Sequence, residues 1–193
     1  MTGVLRLGEP ILLFADADAC GRWMTTAPLD AGGVWLRFAK KGSDMVTLSK
    51  AEAIDIALCH GWIDGQQHPF DGASWLTRFT PRRPRSRWSQ INRTRALTLI
   101  DLGRMRPQGM AEIDAARADG RWDAAYAPAS TAEVPGDLQT RLDATPGAAT
   151  AFDSLCRADR YAALYRLATV KRAQTREARI AALVAALVLR SPD

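Results

Sequence analysis

The sequence predicts an α+β fold, with a small, mostly antiparallel sheet in the N-terminal half, helices packed on that sheet and an all-helical C-terminal part. Two observations support this prediction. Runs that alternate apolar and polar residues, which are typical of strands, lie before residue 82. Beyond Pro107 the apolar residues recur at helical spacing instead. At 193 residues we expect one domain, with an α/β lobe over 1–106 and a helical lobe over 107–193.

The first elements have clear local signals. Asp16 can cap a short helix that runs through Trp23 and is ended by Pro28. The run GGVWLRFAKKG alternates apolar and polar residues with a period of two, which predicts a strand. The stretch TLSKAEAIDIALCHG predicts a helix, because Ser49 and Glu52 form a capping box and Gly61 stands where a left-handed C-terminal residue belongs.

A hairpin follows this helix. The extended runs WIDGQQH and SWLTRFT are joined by PFDGA at 69–73, a turn-forming sequence. This loop position would place Asp64 opposite Arg78 and Ile63 opposite Phe79. One face of the hairpin would then carry Trp62, Asp64, Leu76, Arg78 and Thr80.

The remaining chain predicts helices. Ser86 can cap a helix over WSQINRTRALTLIDL that Gly103 closes. Further helices are predicted at 108–118, 137–144, 147–156, 158–169 and 174–189. The cationic residues Lys171, Arg172, Arg176 and Arg179 open or face the last helix, where a solvated face is the default expectation.

Positive charge is concentrated in one segment. The net charge is +5, yet residues 78–106 hold nine arginines and a single acid, Asp101. Such asymmetry indicates an anionic partner. The three cysteines are widely spaced and no signal peptide or membrane span is recognisable, so we expect a cytoplasmic protein without membrane insertion. We expect no metal site, because with only two histidines a structural zinc site would have to gather its ligands from distant segments, and we expect no cofactor.

The predicted ligand site lies at the hairpin and the helix after it. Its side chains combine planar donors, an acceptor and aromatic walls, which suit a small anionic or polar ligand or an acidic peptide. An ion pair between Asp64 and Arg78 that only fixes the hairpin register is the structural alternative. The predicted ligand-binding residues are Trp62, Asp64, Arg78, Thr80, Arg82, Trp88, Ser89 and Asn92.

Two other functions are open. The arginine-rich segment 78–95 could bind nucleic acid, with guanidinium groups on phosphates and Trp88 stacked on a base, or it could be a solvated basic surface. An enzyme could use Asp64 or Cys59 as catalytic residue. The position of Cys59 in the last turn of a helix opposes a thiolate, and His60 beside it does not face it, so a buried structural cysteine is the expected outcome.

Several motifs resemble one family. The stretches VWLRFAKK, EAIDIALCHGWIDG, RFTPRRPRSRWSQINRTRALTLIDLGRMRPQG, DGRWDAAY and VKRAQTREARI, in this order over about residues 12–185, resemble the YdeI/OmpD-associated family, also called bacteriocin-protection proteins. His60 stands where that family more often has an aromatic residue, and Gln174 where it tends to have an acid. The resemblance implies a role in stress or antimicrobial protection.

Overall fold

The computed structural model describes residues 5–28, 30, 32–170 and 172–190. The chain divides into two compact units, Met1–Ala125 and Tyr126–Asp193. Lys171 of the predicted cationic set lies outside the described residues.

The first unit contains a five-stranded sheet and four helices among its described residues. The strand order is β1-β2-β3-β5-β4, and every neighbouring pair is antiparallel except β2 with β3. The predicted α+β class with a mostly antiparallel N-terminal sheet is therefore confirmed. The elements are β1 (Leu5–Arg6), β2 (Glu9–Leu12), α1 (Ala17–Thr26), β3 (Val34–Ala39), α2 (Lys50–Cys59), β4 (Trp62–Pro69), β5 (Ser74–Pro81), α3 (Gln90–Asp101) and α4 (Pro107–Ala118).

The second unit is helical throughout its described elements. Its core is formed by side chains that recur at helical spacing, such as Ile180, Val184 and Leu187 of the last helix. The helices are α5 (Gly136–Asp143), α6 (Ala148–Asp153), α7 (Arg157–Ala168) and α8 (Ala173–Arg190). The helix predicted at 147–156 ends early, because the Cys156 thiol accepts a hydrogen bond from the Asp159 amide and caps α7.

Helices α1 and α2 cover one face of the sheet. Alternate residues of β3 and β5 point to this face, where Val34 lies opposite Phe79 and Leu36 opposite Thr77. Trp62 at the start of β4 is fully buried in the same cluster. The period-two pattern therefore directs one set of side chains into the main core of this unit.

The predicted helix caps of α1 and α2 are confirmed. Asp16 accepts a hydrogen bond of 2.7 Å from the Ala19 amide at the start of α1. At α2, Ser49 and Glu52 each accept a hydrogen bond from the other's backbone N–H, at 3.2 and 2.8 Å. These reciprocal bonds satisfy N–H groups that a helix start otherwise leaves without partners.

The predicted start of α3 is wrong by one turn. Ser86 closes a turn by accepting a hydrogen bond from the Arg83 amide, and Ser89 caps the helix by accepting one from the Asn92 amide. Ser89 has extended backbone geometry, and upstream of the turn the Arg82 amide donates to the carbonyl of Gly61 at 2.8 Å. Both serines can accept locally, so the sequence pattern alone did not distinguish them.

Two glycines bring the end of α2 against the start of α4. A Cβ at Gly109 would lie 2.5 Å from the Cys59 carbonyl oxygen and 2.6 Å from that of Leu58. Gly61 has a left-handed φ of 76°, and a Cβ there would lie 3.1 Å from the Gln108 carbonyl oxygen. Only residues without a side chain allow this approach, which we call the α2–α4 junction.

Gly109→Ala is expected to lower the free energy of unfolding by at least about 2 kcal/mol, because its methyl group would overlap backbone carbonyls that cannot rotate away. Gly21→Ala is the matched control, since a Cβ at this position in α1 has no heavy atom within 4 Å. The control should be stabilised by roughly 0.5–1 kcal/mol from the better helix propensity of alanine. Denaturant titration measures both, and equal stability of the two variants would contradict the junction geometry.

Candidate functional site

The structure contradicts the predicted hairpin register. Asp64 lies opposite Phe79, and Ile63 lies opposite Thr80. The Asp71 carboxylate closes the loop by accepting from the Ala73 amide and the Ser74 hydroxyl, and a register shift between Asp64 and Gln67 displaces the rest of β4. Asp64 and Arg78 therefore lie on opposite faces of the sheet, and the predicted pairing between them is wrong.

Arg78 pairs with Glu9 of β2 instead. The Arg78 Nε donates to Glu9 Oε2 at 2.7 Å, and a second guanidinium nitrogen bonds the other carboxylate oxygen. This fork-to-carboxylate pair lowers the pKa of Glu9 chiefly through the hydrogen bond. Gly33 leaves room for the pair, because a Cβ there would lie 2.9 Å from Glu9 and 3.0 Å from Thr80. Thr80 lies on the same face as Arg78, away from α1 and α2.

Asp64 faces α2. Its carboxylate lies 3.4 Å from the Lys50 ammonium group, and both side chains are largely buried. Trp62 on the same face is fully buried and has no hydrogen-bond partner for its indole N–H among the described residues. These two residues thus lie on the helix-covered face of the sheet, and neither lines an open pocket together with Arg78.

Four of the predicted residues do lie together. The Arg82 guanidinium stacks on the Trp88 ring at 3.6 Å, and Ser89 and Asn92 form the cap of α3 directly after it. Arg82 is only 6% exposed and donates to the Arg87 carbonyl at 3.2 Å. Trp88 is 1% exposed, so its ring stacks on Arg82 and is closed to a nucleic-acid base.

Arg82 also lines a cleft of about 360 Å³ beside the α2–α4 junction. Glu112 forms part of its wall. Burial raises the pKa of the Glu112 carboxyl, while the positive charges of Arg82 and Arg121 oppose this rise. The cleft therefore combines a cation with a carboxyl group that binds its proton more tightly than usual.

The arginine run divides into internal and exposed members. At least four of its nine arginines donate hydrogen bonds within the chain: Arg78, Arg82, Arg93 and Arg95. Those exposed to solvent are Arg83, Arg85, Arg87, Arg104 and Arg106. Arg104 and Arg106 lie in the connection between α3 and α4, apart from the loop after β5, and they line a different pocket.

A basic pocket of about 440 Å³ lies between α1, the end of α2 and the α3–α4 connection. Its floor is formed by Ile56, Cys59 and His60, each no more than 7% exposed. Helix α1 supplies one wall from residues on a single face, and the connection supplies the other. The complete lining is Ala17, Asp18, Gly21, Arg22, Thr25, Ile56, Cys59, His60, Gly103, Arg104 and Arg106.

Local backbone geometry positions the arginines of this basic pocket. Gly103 ends α3 with a left-handed φ of 64°, after which the Arg104 amide donates to the Leu99 carbonyl at 2.9 Å. The Arg106 amide donates to the carbonyl of Cys59 at 3.2 Å, and Pro107 then starts α4. The connection is thereby fixed against the end of α2.

The basic pocket has an excess of positive charge. Within the described ranges, none of Arg22, Arg104 and Arg106 forms an ion pair with a carboxylate. Asp18 is the one acidic residue of the lining. Burial lowers the pKa of His60, and Arg106 lowers it further, so this imidazole is neutral at pH 7.

The Cys59 thiol is protonated at neutral pH. Burial raises its pKa above the ordinary value, and Asp55 adds to this, whereas Arg104 and Arg106 oppose the shift. Cys59 is the last residue of α2 and is 5% exposed, as expected for a structural cysteine. Cys59 therefore lacks the surroundings of an activated thiol, and Asp64 lies beside Lys50.

Sequence reasoning missed Arg22 and did not separate Arg104 and Arg106 from the rest of the run. The segment Gly103-Arg-Met-Arg-Pro107 carries a usable signal, because a helix-ending glycine and a helix-starting proline enclose two arginines in a short connection. Arg22 offers no such signal, since its neighbours come from segments far away in the sequence.

The chain matches two family models in succession. Residues 12–112, more than half of the chain and all of the basic pocket, match the family described as "Domain of unknown function (DUF8412)". The chain belongs to the DUF8412 family. Residues 131–188 match the family described as "Bacteriocin-protection, YdeI or OmpD-Associated", which confirms the resemblance over that segment. Most motifs quoted for the resemblance lie in the DUF8412 segment. No curated protein and no solved structure matches the chain.

The described residues of this DUF8412 protein show no metal-binding cluster and no membrane-spanning helix. The described residues contain no group of three or more His, Cys, Asp or Glu side chains that could hold a metal ion. Of the helices in the described ranges, none has both the length and the apolar character needed to cross a membrane. All three cysteines are free thiols.

The free energy of unfolding is expected to fall as the pH drops below 6.5. Because burial lowers the pKa of His60 in the folded state, the unfolded chain binds more protons between that lowered pKa and 6.5. The contribution of His60 to the free energy of unfolding is fully present above pH 6.5. It is lost as the pH falls below this value, at no more than about 1.4 kcal/mol per pH unit.

Denaturant titrations at several pH values measure this dependence. His60→Gln should remove part of the loss, whereas His68→Gln, which changes the other histidine, should retain it. The same pH dependence in the wild type and in His60→Gln would contradict a buried neutral imidazole.

Proposed function

We propose that this protein binds a small oxyanion, or the carboxylate or phosphate group of a small ligand, in the basic pocket. One observation carries the proposal. Arg22, Arg104 and Arg106 line a single pocket without a carboxylate partner among the described residues, and Asp18 is the one acid in the lining. Three unpaired guanidinium groups around one concave space favour an anion with several oxygens.

The neutral groups of the pocket suit the same ligand. Guanidinium groups present planar pairs of N–H donors that fit carboxylate and phosphate oxygens. The neutral His60 ring adds a donor without charge. Because His60 lies on the buried floor, water screens its interactions less than those of the exposed arginines.

Two helix ends influence the potential of the pocket in opposite directions. The negative end of α2 lies at Cys59, and the positive end of α4 lies at Arg106. The Arg106 amide joins the two ends by its bond to Cys59. Since these two dipoles oppose each other, the arginine side chains determine that the pocket is positive.

The predicted ligand site after the hairpin is a separate proposal, limited to the four predicted residues that lie together. Arg82, Trp88, Ser89 and Asn92 lie together, and Arg82 lines the cleft with Glu112. We propose this cleft as a contact for a polar group that can pair with both a guanidinium and a carboxyl group. Asp64 and Arg78 have partners of their own and are not part of it.

We also propose a role in bacteriocin protection inside the cell. The support for this role is the description of the family that residues 131–188 match. The three free thiols are consistent with a reducing compartment.

Nucleic-acid binding through 78–95 is the alternative proposal. Its support is the exposed pair Arg83 and Arg85 in the loop after β5. This alternative predicts an affinity for duplex DNA that falls steeply with salt and depends on these two arginines.

Calorimetric titration with sulfate, at constant ionic strength, tests the basic pocket. Arg104→Gln and Arg106→Gln should each weaken binding roughly tenfold, because each removes a charge-assisted hydrogen bond. Arg22→Gln should act similarly from the opposite wall. Arg83→Gln and Arg85→Gln are matched controls that remove the same charge elsewhere and should leave the affinity within about twofold.

The controls also separate the two proposals. Equal weakening by all five substitutions would mean that sulfate responds only to net charge and would contradict the pocket. Loss of binding confined to Arg83→Gln and Arg85→Gln, with tight salt-sensitive binding of duplex DNA, would favour nucleic acid.

A further inference from the structure

The second unit contains a groove between α7 and α8 with a volume of about 480 Å³. Apart from Leu155, which precedes α7, each wall is one stripe of a helix, with residues three or four positions apart. We call it the α7–α8 groove. It is lined by Leu155, Asp159, Ala162, Ala163, Arg166 and Leu167 on one wall and by Arg179, Ala182, Leu183, Ala186 and Leu187 on the other.

The groove is apolar along most of its length and remains accessible. Ala162, Ala182 and Ala186 are exposed, and Leu183 is half-buried. Leu189 follows Ala186 by three residues and so continues the same stripe, where it is 87% exposed. Contiguous exposed apolar surface of this kind indicates an interaction site.

Small side chains in the α7–α8 groove determine which kind of element can pack there. Alanines on both walls let a third helix approach α7 and α8 at an ordinary interaxial distance of about 8–10 Å. The lining residues run from Asp159 to Leu167 on α7 and from Arg179 to Leu187 on α8, which corresponds to roughly 12 Å of helix, or about two turns, on each wall. The groove therefore fits the apolar side of a short amphipathic helix.

The charge of the groove determines which kind of amphipathic helix it favours. Arg166 and Arg179 lie at one end of the groove, because the Arg179 Nη1 donates to the Arg166 carbonyl at 3.0 Å. Both side chains are exposed, and neither forms an ion pair with a carboxylate in the described part of the chain. Asp159 is the one acid that lines the groove.

We propose that the α7–α8 groove docks an amphipathic helical segment of a partner protein, with acidic residues of that segment placed against Arg166 and Arg179. The apolar stripe of the segment covers Leu183, Ala186 and the exposed continuation at Leu189. This is the helix-in-groove mode of recognition, in which apolar anchors supply affinity and charged neighbours set orientation. The inference concerns the second unit and is independent of anion binding in the basic pocket.

The test uses the full chain and two designed peptides, each as long as α8. Both have the same leucine stripe on one helical face, and they differ only in glutamate or lysine at the polar positions next to it. Fluorescence anisotropy measures the binding of each labelled peptide. The acidic peptide should bind at least about tenfold more tightly than the basic one, since two unpaired arginines favour one sign of charge.

Two adjacent substitutions locate the contact. Ala186→Glu introduces a charged side chain into the groove wall and should weaken binding of the acidic peptide at least about tenfold. Ala185→Glu is the matched control, because Ala185 is exposed on α8 and does not line the groove. It makes the same change of residue and charge and should bind nearly as the wild type does.

Three outcomes would overturn the proposal. The first is no binding of the acidic peptide up to millimolar concentration, and the second is equal binding of the acidic and basic peptides. The third is a dimer in sedimentation that Ala186→Glu, and not Ala185→Glu, converts to a monomer, because the groove would then hold a second copy of this chain. Circular dichroism of both variants verifies that each remains helical.

Discussion

The α2–α4 junction is the contact on which the arrangement of the first unit depends. Gly109 brings the start of α4 within van der Waals distance of the last carbonyls of α2, and Gly61 turns the chain from α2 into β4 at the same point. The Arg106 and Arg82 amides then bond the carbonyls of Cys59 and Gly61. One compact crossing thus fixes the floor of the basic pocket on one side and Arg82 on the other. The junction requires glycine at position 109 for a steric reason, because any side chain at Gly109 would overlap backbone atoms.

The parts of the fold that depend on neighbouring residues could be predicted from the sequence. The capping box of Ser49 and Glu52, the cap at Asp16 and the strand Val34–Ala39 all follow from spacing over a few positions. Such signals are local because the hydrogen bonds that they describe join residues three or four apart. The choice between Ser86 and Ser89 as the cap of α3 failed for a related reason. Ser86 and Ser89 each accept a hydrogen bond from a backbone N–H three residues away, so spacing alone does not distinguish the turn from the cap.

The sites could be predicted only in part, because their partners are distant in the sequence. Arg78 has its carboxylate 69 residues away at Glu9, whereas the hairpin pattern offered Asp64 as a nearby alternative. A register shift within β4 decided between the two, and alternation of apolar and polar residues does not reveal such a shift. The basic pocket brings Arg22 from α1 to Arg104 and Arg106 by tertiary packing alone. The clustering of arginine in 78–106 predicted an anionic partner, but it did not show which arginines were already paired.

The two family matches cover two different kinds of surface. The DUF8412 segment carries a concave pocket whose arginines form no ion pair with a carboxylate among the described residues, and the segment matched by the bacteriocin-protection family carries an apolar groove. The central claim is that the pocket holds an anion between specific guanidinium groups. Nitrogen–proton NMR spectra of the arginine side chains during a sulfate titration test it most directly. We predict that the Nε–H signals of Arg22, Arg104 and Arg106 shift along one common saturation curve while those of Arg37 and Arg95, which have carboxylate partners, stay in place. Shifts of similar size at all exposed arginines, without saturation, would contradict the claim.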